Sequence, residues 1–452
     1  MKKNEIYQTE ITGMTAEGSG VCRVEGMAVF VPMTAIGDIL EVRIVKVLKH
    51  YAFGIIEKLI APADSRIEPV CPVFRQCGGC AFQHVDYQTE LSYKENFVKD
   101  AFTRIGKLNP DFEPILGSSN RYHYRNKAQY PIAEQKGKLF CGFYARHSHR
   151  VIPYTECHLQ PEVFTRIMKY LLPLLEKCGV TVYHEESHTG ELRHIYLRKG
   201  YHSGEVMLCF ITRVSIRKKI QNRLKEIQEK FSEIVSIMES VNPEKTNVIL
   251  GKSVSVLAGQ EYITDTMCGK QIRISPQSFY QVNTEQAEKL YHLAKAYADL
   301  QGNETLLDLY CGAGTIGLSM ADSVKTLIGV EVIPEAVENA VHNAERNHIT
   351  NAEFHCGDAG TIAESLLKKQ LRPDVIILDP PRKGSDSLTI ESVIRMSPSR
   401  IVMISCNPST AARDAAKFAE SGYQTEKVRA VDLFPCTDSC EVILRMEKSG
   451  II

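Results

Sequence analysis

The sequence predicts a multidomain α/β protein: a small β-barrel over residues 1–61, a central α+β segment over 62–274 and a doubly wound, mostly parallel sheet over 275–452. Three patterns in the 452 residues lead there. From about residue 283, short apolar runs alternate with helical segments, as a parallel sheet covered on both faces requires. The first 60 residues hold five short strand-like runs between turn signals, as in a small antiparallel barrel. Between the two lies a cysteine-rich stretch followed by mixed strands, turns and helices.

In the barrel region the turns are Glu17-Gly18-Ser19-Gly20, Glu25-Gly26 and Ile36-Gly37-Asp38. Leu40, Val42 and Ile44 alternate with Glu41 and Arg43, the period of a half-buried strand. Ala61-Pro62-Ala63-Asp64-Ser65 reads as a linker. Such a barrel either binds RNA or is a structural appendage, and its own residues leave both readings open. A helix spanning 91–107 places Leu91, Val98, Ala101, Phe102 and Ile105 on one apolar face, which packs on the C-terminal domain if it packs on either neighbour. A second helix is expected around 163–177. Asn283 is an N-cap for a helix reaching about Leu300. The apolar runs that follow are Thr305–Leu309, 326–332, Ala352–Cys356, 374–378, Arg400–Ser405 and 441–445.

Hydrophobic and charged fractions of 44% and 24% belong to a folded protein and exclude a disordered or fibrous chain. No run approaches the roughly 18 continuous apolar residues of a membrane span. Met1-Lys2-Lys3-Asn4-Glu5 leads into polar alternation, so export is not expected and a cytoplasmic location is. Net charge is zero, yet residues 90–230 carry 24 basic and 15 acidic side chains and eight of the 14 histidines. A local basic region on a neutral chain fits selective contact with a polyanion. Fourteen cysteines at this size and location suggest metal ligation or catalysis rather than a disulfide framework.

Ligands of open α/β sheets bind outside the carboxyl ends of the strands. Five successive strand ends carry polar or reactive groups: Asp308 to Gly317, then Glu331, Asp358, Asp379-Pro380-Pro381-Arg382 and Cys406-Asn407-Pro408. Gly312, Gly314 and Gly317 spell G-x-G-x-x-G, shared by nicotinamide, flavin and S-adenosylmethionine sites. Glu331 can hold ribose hydroxyls. Asp308 stands where a carboxylate meets an ammonium and repels a pyrophosphate, which favours S-adenosylmethionine. Asp379-Pro380-Pro381 is a motif of base-modifying methyltransferases. Adenine amino-group methylation needs an aromatic residue after the prolines, and Arg382 stands there instead, pointing to a carbon target.

Carbon 5 of a pyrimidine is a weak nucleophile until a thiolate adds at carbon 6. Cys406, on a turn leaving a strand where backbone amides favour thiolate, supplies the sulfur. Glu441, at the start of the last apolar run, is the candidate base that removes the carbon 5 proton. Cys71, Cys77 and Cys80, with Cys157 further on, suit an iron–sulfur cluster or zinc. Residues 121–150 hold seven basic side chains and one acidic, interleaved with Tyr122, Tyr124, Tyr130, Phe140, Phe143 and Tyr144. That composition suits RNA with splayed bases, or equally a strand pair with one solvated face.

Taken together, these motifs resemble the bacterial RNA uracil carbon-5 methyltransferases, and among them the enzymes acting on 23S ribosomal RNA. The resemblance covers nearly the whole chain. It implies an N-terminal TRAM domain (an OB-like RNA-binding barrel), a central iron–sulfur domain and a class I, Rossmann-like methyltransferase domain. It implies a [4Fe–4S] cluster on Cys71, Cys77, Cys80 and Cys157. Ser278-Phe279-Tyr280-Gln281-Val282-Asn283 is similar to the family's cofactor-side motif, so Gln281, Tyr310, Glu331, Asp358 and Asp379 are the implied S-adenosylmethionine contacts. Cys406 matches the nucleophile and Glu441 the base.

One segment departs from the family. Phe434-Pro435-Cys436-Thr437-Asp438-Ser439-Cys440-Glu441 keeps the frame of Phe-Pro-His-Thr-x-His-x-Glu without either histidine, so a proton-shuttling role of those positions and the tuning of the base do not carry over from the resemblance. The tRNA-modifying relatives are expected to lack the barrel and the cluster cysteines, which argues for ribosomal RNA. The expected protein is a cytoplasmic monomer that methylates a uridine of 23S ribosomal RNA. Thiolate chemistry alone also allows an RNA cytosine methyltransferase. A non-catalytic, RNA-binding ribosome assembly factor is the alternative of a different class.

Overall fold

The computed structural model describes residues 1–450. Its barrel has six strands: β1 (Ile6–Glu10), β2 (Gly13–Met14), β3 (Ser19–Val24), β4 (Met27–Pro32), β5 (Ile39–Val47) and β6 (Tyr51–Ala61), in the order β1-β5-β6-β4-β3-β2. Alternation turns Cys22, Val29, Val31, Leu40, Val42 and Ile44 inward to a closed apolar core. The sixth strand beyond the five expected is β2, too short to leave a period in the sequence. The barrel is tied to the next segment by polar contacts. Arg66 reaches both Asp38 oxygens at 2.7 Å, and Ile36 N donates to Tyr93 OH at 3.0 Å.

Helix α1 (Tyr87–Asp100) is capped by Asp86, whose side chain accepts from Thr89 N, and runs on through a π-helical turn to Gly106. Val98, Ala101 and Phe102 lie in the same core as Leu307, Ile376 and Met403 of the C-terminal sheet, whereas Ile105 is exposed. Strand β7 (Asp111–Leu116) follows and pairs with the edge of that sheet. Pro114 within it is tolerated because an edge strand needs only one hydrogen-bonding side. Residues 87–116 therefore belong to the C-terminal fold, although the sequence division places them in 62–274.

The rest of the centre is a seven-stranded sheet in the order β10-β9-β8-β11-β12-β13-β14. Its strands are β8 (Lys127–Gln135), β9 (Lys138–Tyr144), β10 (Val151–Pro153), β11 (Leu192–Lys199), β12 (Val206–Thr212), β13 (Ile234–Val241) and β14 (Ser253–Gly259). Three helices, α2 (Glu162–Lys177), α3 (Arg217–Ile220) and α4 (Leu224–Lys230), bury their apolar sides on one face of it. On the other face Tyr196, Met207 and Ile211 share a core with the hairpin β15 (Ile263–Met267)–β16 (Lys270–Ile274) and with the C-terminal domain. That continuous core blurs the boundary at 274.

The C-terminal domain follows the expected alternation. It comprises α5 (Thr284–Ala298), β17 (Thr305–Leu309), α6 (Thr315–Met320), β18 (Thr326–Glu331), α7 (Pro334–Arg346), β19 (Ala352–Cys356) and α8 (Ala359–Lys368). Then come β20 (Val375–Leu378), α9 (Ser387–Met396), β21 (Arg400–Ser405), α10 (Pro408–Glu420), β22 (Tyr423–Val431) and β23 (Glu441–Lys448). The sheet order is β19-β18-β17-β20-β21-β23-β22-β7, parallel from β19 to β21 with β23 antiparallel. Apolar side chains of β17, β20 and β21 point alternately into two separate cores, one on each face. Among the described residues no helix is long and apolar enough to cross a membrane.

Candidate active site

The carboxyl ends of the five parallel strands open onto one cavity of about 760 Å³. Gln281, Tyr310, Glu331, Asp358, Asp379, Cys406 and Glu441 all line it. These residues come from seven places along 161 positions of chain: crossover connections gather five of them at parallel strand ends, Glu441 begins the antiparallel β23 beside β21, and Gln281 precedes α5. Arg125, Lys127 and Gln129, from the chain entering β8, also line it.

At one end the glycine turn after β17 holds Tyr310, Gly312 and Gly314 at positive φ. Glu331 closes beneath it: one oxygen accepts from Gly312 N at 3.0 Å, the other from Ile333 N at 2.8 Å. Asp358 caps α8 through Thr361 N at 3.0 Å and still borders the cavity. The Tyr310 hydroxyl donates to Thr389 at 3.3 Å. Gln281 is anchored by its main chain, whose carbonyl accepts from Asn126 Nδ2 at 2.8 Å.

Asp308 departs from the expectation. It is buried beneath the turn, outside the cavity lining, and its Oδ2 accepts from Gly317 N at 2.9 Å. Burial raises its carboxyl to about 8. It shapes the glycine turn rather than reaching a ligand's ammonium. A Cβ at Gly317 would stand 2.8 Å from both Asp308 Oδ2 and a Leu327 methyl. Gly317→Ala is accordingly expected to destabilise the fold by about 1–3 kcal/mol and to weaken binding of S-adenosylmethionine, checked by thermal melting and calorimetry.

At the other end Cys406 leaves β21 half-buried, with its sulfur at the cavity. Its thiol is raised above the ordinary 9.0, first by burial and then by Glu441 and Asp379, while Arg382 offsets part of this. Its surroundings therefore work against the thiolate-favouring turn expected from the sequence. Glu441, at the head of β23, is buried. Burial, reinforced by Asp379, raises it from 4.5 to about 8, and burial raises Asp379 to about 7. A carboxyl poised near neutrality suits a general base. Of the two positions where the related motif has histidine, Ser439 lines the cavity, whereas the buried Cys436 does not.

Cys71, Cys77, Cys80 and Cys157 line a second cavity of about 240 Å³, which shares Arg125, Lys127 and Gln129 with the first. Gly79 N donates to Cys77 Sγ at 3.4 Å, and Gln83 Nε2 to Cys80 Sγ at 3.2 Å. Burial raises all four thiols. Among the described residues no three His, Cys, Asp or Glu side chains converge closely enough to hold one metal ion.

The basic and aromatic stretch 121–150 is divided by the fold. Tyr130 packs in the central core, and Tyr124 is buried with its hydroxyl on the Pro435 carbonyl at 2.9 Å. Arg121 turns inward to Glu90 at 3.0 Å. Arg125 and Lys127 face the reaction cavity, and Tyr144 reaches solvent. The sequence reading missed Lys127, which burial and the charges of Arg198 and Arg125 lower to about 8. Its position two residues after Arg125 on a strand was the available signal. It also missed a ring cluster on the barrel, the exposed Tyr51 and Phe53 with the half-buried Phe30, with centroids 5.5–5.9 Å apart.

Comparison with known proteins gives this site a family. Residues 86–449 match the family described as tRNA (Uracil-5-)-methyltransferase, and residues 2–56 match the TRAM domain. An uncharacterized RNA methyltransferase of Clostridium tetani is 40% identical over 450 residues, covering 100% of this chain and 98% of that protein. Another from Halalkalibacterium halodurans is 41% identical over 448 residues, 99% and 98% of the two chains. Among solved structures, the Pyrococcus abyssi tRNA (uracil-54, C5)-methyltransferase in complex with S-adenosyl-L-homocysteine is 25% identical. It covers 97% of this chain and 100% of that chain, with a TM-score of 0.76. A tRNA enzyme thus aligns along almost the whole of this chain, so the barrel does not separate ribosomal from transfer RNA as the sequence reading expected. With its TRAM domain in front and all seven site residues around one cavity, the chain belongs to the RNA uracil-5-methyltransferase family.

Proposed function

We propose that this protein methylates carbon 5 of a uridine in 23S ribosomal RNA, with S-adenosylmethionine as donor and Cys406 as covalent nucleophile. The observation that carries the reaction is the meeting of Cys406 and Glu441 in the cavity whose far end holds Tyr310, Glu331 and Asp358, while the ribosomal target rests on the sequence resemblance. When bound, S-adenosylmethionine supplies an electrophilic sulfonium methyl. Glu331 and Asp358 would accept from its hydroxyls or base edge, and Gln281, Tyr310 and Asp379 would hold the rest of it.

Cys406 gives its proton to solvent water as its sulfur bonds to carbon 6, which moves the 5,6 π pair toward the carbon 4 oxygen as an enolate. Carbon 5 then takes the methyl group, and the donor departs as a neutral thioether. Glu441 accepts the carbon 5 proton, the 5,6 double bond re-forms and the sulfur leaves with its electron pair. The target base has to leave its stack to reach a half-buried sulfur. Arg125 and Lys127 at the same cavity suit the phosphates beside it, and the barrel rings suit neighbouring unpaired bases.

The donor set of Cys71, Cys77, Cys80 and Cys157 fits a [4Fe–4S] cluster. Four cysteines share one cavity, and backbone and amide N–H groups point at two of the sulfurs. The cluster would crosslink the 71–80 loop to Cys157, and no redox step is assigned to it.

The test is methyl transfer from labelled S-adenosylmethionine to 23S ribosomal RNA and to transfer RNA, with the product nucleoside identified by mass spectrometry. The expected product is 5-methyluridine in 23S RNA. Label in transfer RNA alone overturns the substrate and favours the reading to which the Pyrococcus abyssi neighbour points. 5-Methylcytidine overturns the base, and tight RNA binding without transfer favours an assembly factor.

A further inference from the structure

The segment that delivers Glu441 is the loop 432–440 between β22 and β23, and its walls Phe434 and Ser439 are part of the cavity. Its polar groups are held from outside the loop. Lys94 Nζ donates to Asp432 Oδ1 at 2.7 Å, to the Phe434 carbonyl at 3.1 Å and to Glu90 Oε1 at 2.8 Å. Glu90 Oε1 also accepts from Cys436 N at 2.6 Å, and Glu90 Oε2 from Arg121 at 3.0 Å. Tyr87 OH donates to Asp432 Oδ2 at 2.8 Å. The Cys436 carbonyl accepts from both Ala81 N at 2.8 Å and Phe82 N at 3.0 Å, the residues directly after Cys80.

Lys94 and Glu90 are wholly buried, an arrangement rare without a task. Buried ion pairs seldom outperform apolar packing as a source of stability, and in some proteins they serve instead to specify one arrangement. Here the charges contact one loop at three points: a carboxylate, a carbonyl and an amide. An apolar pair at 90 and 94 could hold α1 on the sheet but could not grip those groups.

We infer that Lys94, with Glu90 and Tyr87, is a positioning residue that fixes the 432–440 loop so that the Glu441 carboxylate meets the carbon 5 proton. The inference rests on the covalent mechanism proposed above. It predicts a selective defect: attack by Cys406 and methyl transfer proceed, while proton removal and release of the sulfur slow.

The experiment follows full-length protein on natural uridine-containing RNA, separating SDS-stable protein–RNA adduct from released methylated RNA over time. Lys94→Met is expected to lengthen the adduct lifetime about ten-fold or more, with methylated nucleoside recovered from the adduct. Tyr87→Phe, which removes the bond to Asp432 together with the one its hydroxyl accepts from Ser118 N at 2.7 Å, is expected to do the same to a smaller degree and decides the matter if Lys94→Met does not fold. Adduct lifetimes equal to wild type in the folded variants, with any loss of turnover tracking melting temperature, would overturn the inference. If wild type forms no adduct even with 5-fluorouridine RNA, the covalent mechanism fails and the inference falls with it. Wild-type trapping with normal release by the variants defeats the positioning role alone.

Discussion

Replacing Cys406 with alanine is expected to abolish methyl transfer, a loss of roughly 10⁴-fold or more, as for removal of other covalent nucleophiles. The size follows from chemistry: without a bond at carbon 6, carbon 5 has too little electron density to attack a sulfonium methyl. RNA carrying 5-fluorouridine makes the result visible. Fluorine at carbon 5 leaves no proton for Glu441 to remove, so wild type is expected to remain covalently joined to the RNA after transfer. Cys406→Ala is expected to give no such complex while binding the RNA as wild type does. A trapped complex whose crosslink maps to another cysteine would remove Cys406 from its role. Wild-type turnover by Cys406→Ala would remove covalent catalysis altogether.

Glu441→Gln is expected to slow turnover by roughly 10²–10⁴-fold, the usual contribution of a general base, and yet to raise stability at alkaline pH. Both follow from one carboxyl raised by burial from 4.5 to about 8. Between those values the folded protein keeps a proton that the unfolded chain has already lost. Stability therefore falls as pH climbs from about 4.5 to about 8, by an amount on the order of a few kcal/mol for this group. Glutamine does not ionise and escapes the loss. The variant is expected to melt higher than wild type at pH 8, with the gap closing toward pH 4.5. In wild type, release of the methylated product is expected to quicken with pH up to about 8, as the base becomes unprotonated. A gap in melting temperature that does not vary with pH, or release independent of pH, would place the shifted proton elsewhere. Asp308 and Asp379, raised to about 8 and about 7, add to the same slope, so the comparison is made at fixed pH between the two proteins.

The alternation of the C-terminal domain was legible because each parallel strand is apolar on both faces and each connection carries a helical period. Asn283 capping α5 and the run Arg400–Ser405 appear in the structure at the positions read from the sequence. Strand β7 was not legible, since its partner β22 lies more than 300 residues away and Pro114 argues against any strand. Tyr130 and Tyr124 looked like ring platforms for RNA because interleaving with basic residues is also what a half-buried strand looks like. Asp308 was placed correctly on its strand end, but whether it faces a ligand or its own glycine turn depends on side-chain direction.

The strand ends and the residue types on them came from the sequence alone, since crossover connections leave a doubly wound sheet one edge on which to gather its ligand groups. Tertiary packing decided how those groups behave. Cys406 and Glu441 sit together in a poorly solvated cavity, where charge is costly, and their acidities move accordingly. The grip of Lys94 on a loop some 340 residues later, and the shared wall between the cysteine cavity and the reaction cavity, exist only once distant segments are folded against each other. Local pattern reports which groups a chain carries, while solvation and contact, set by the whole fold, determine their charge and reach.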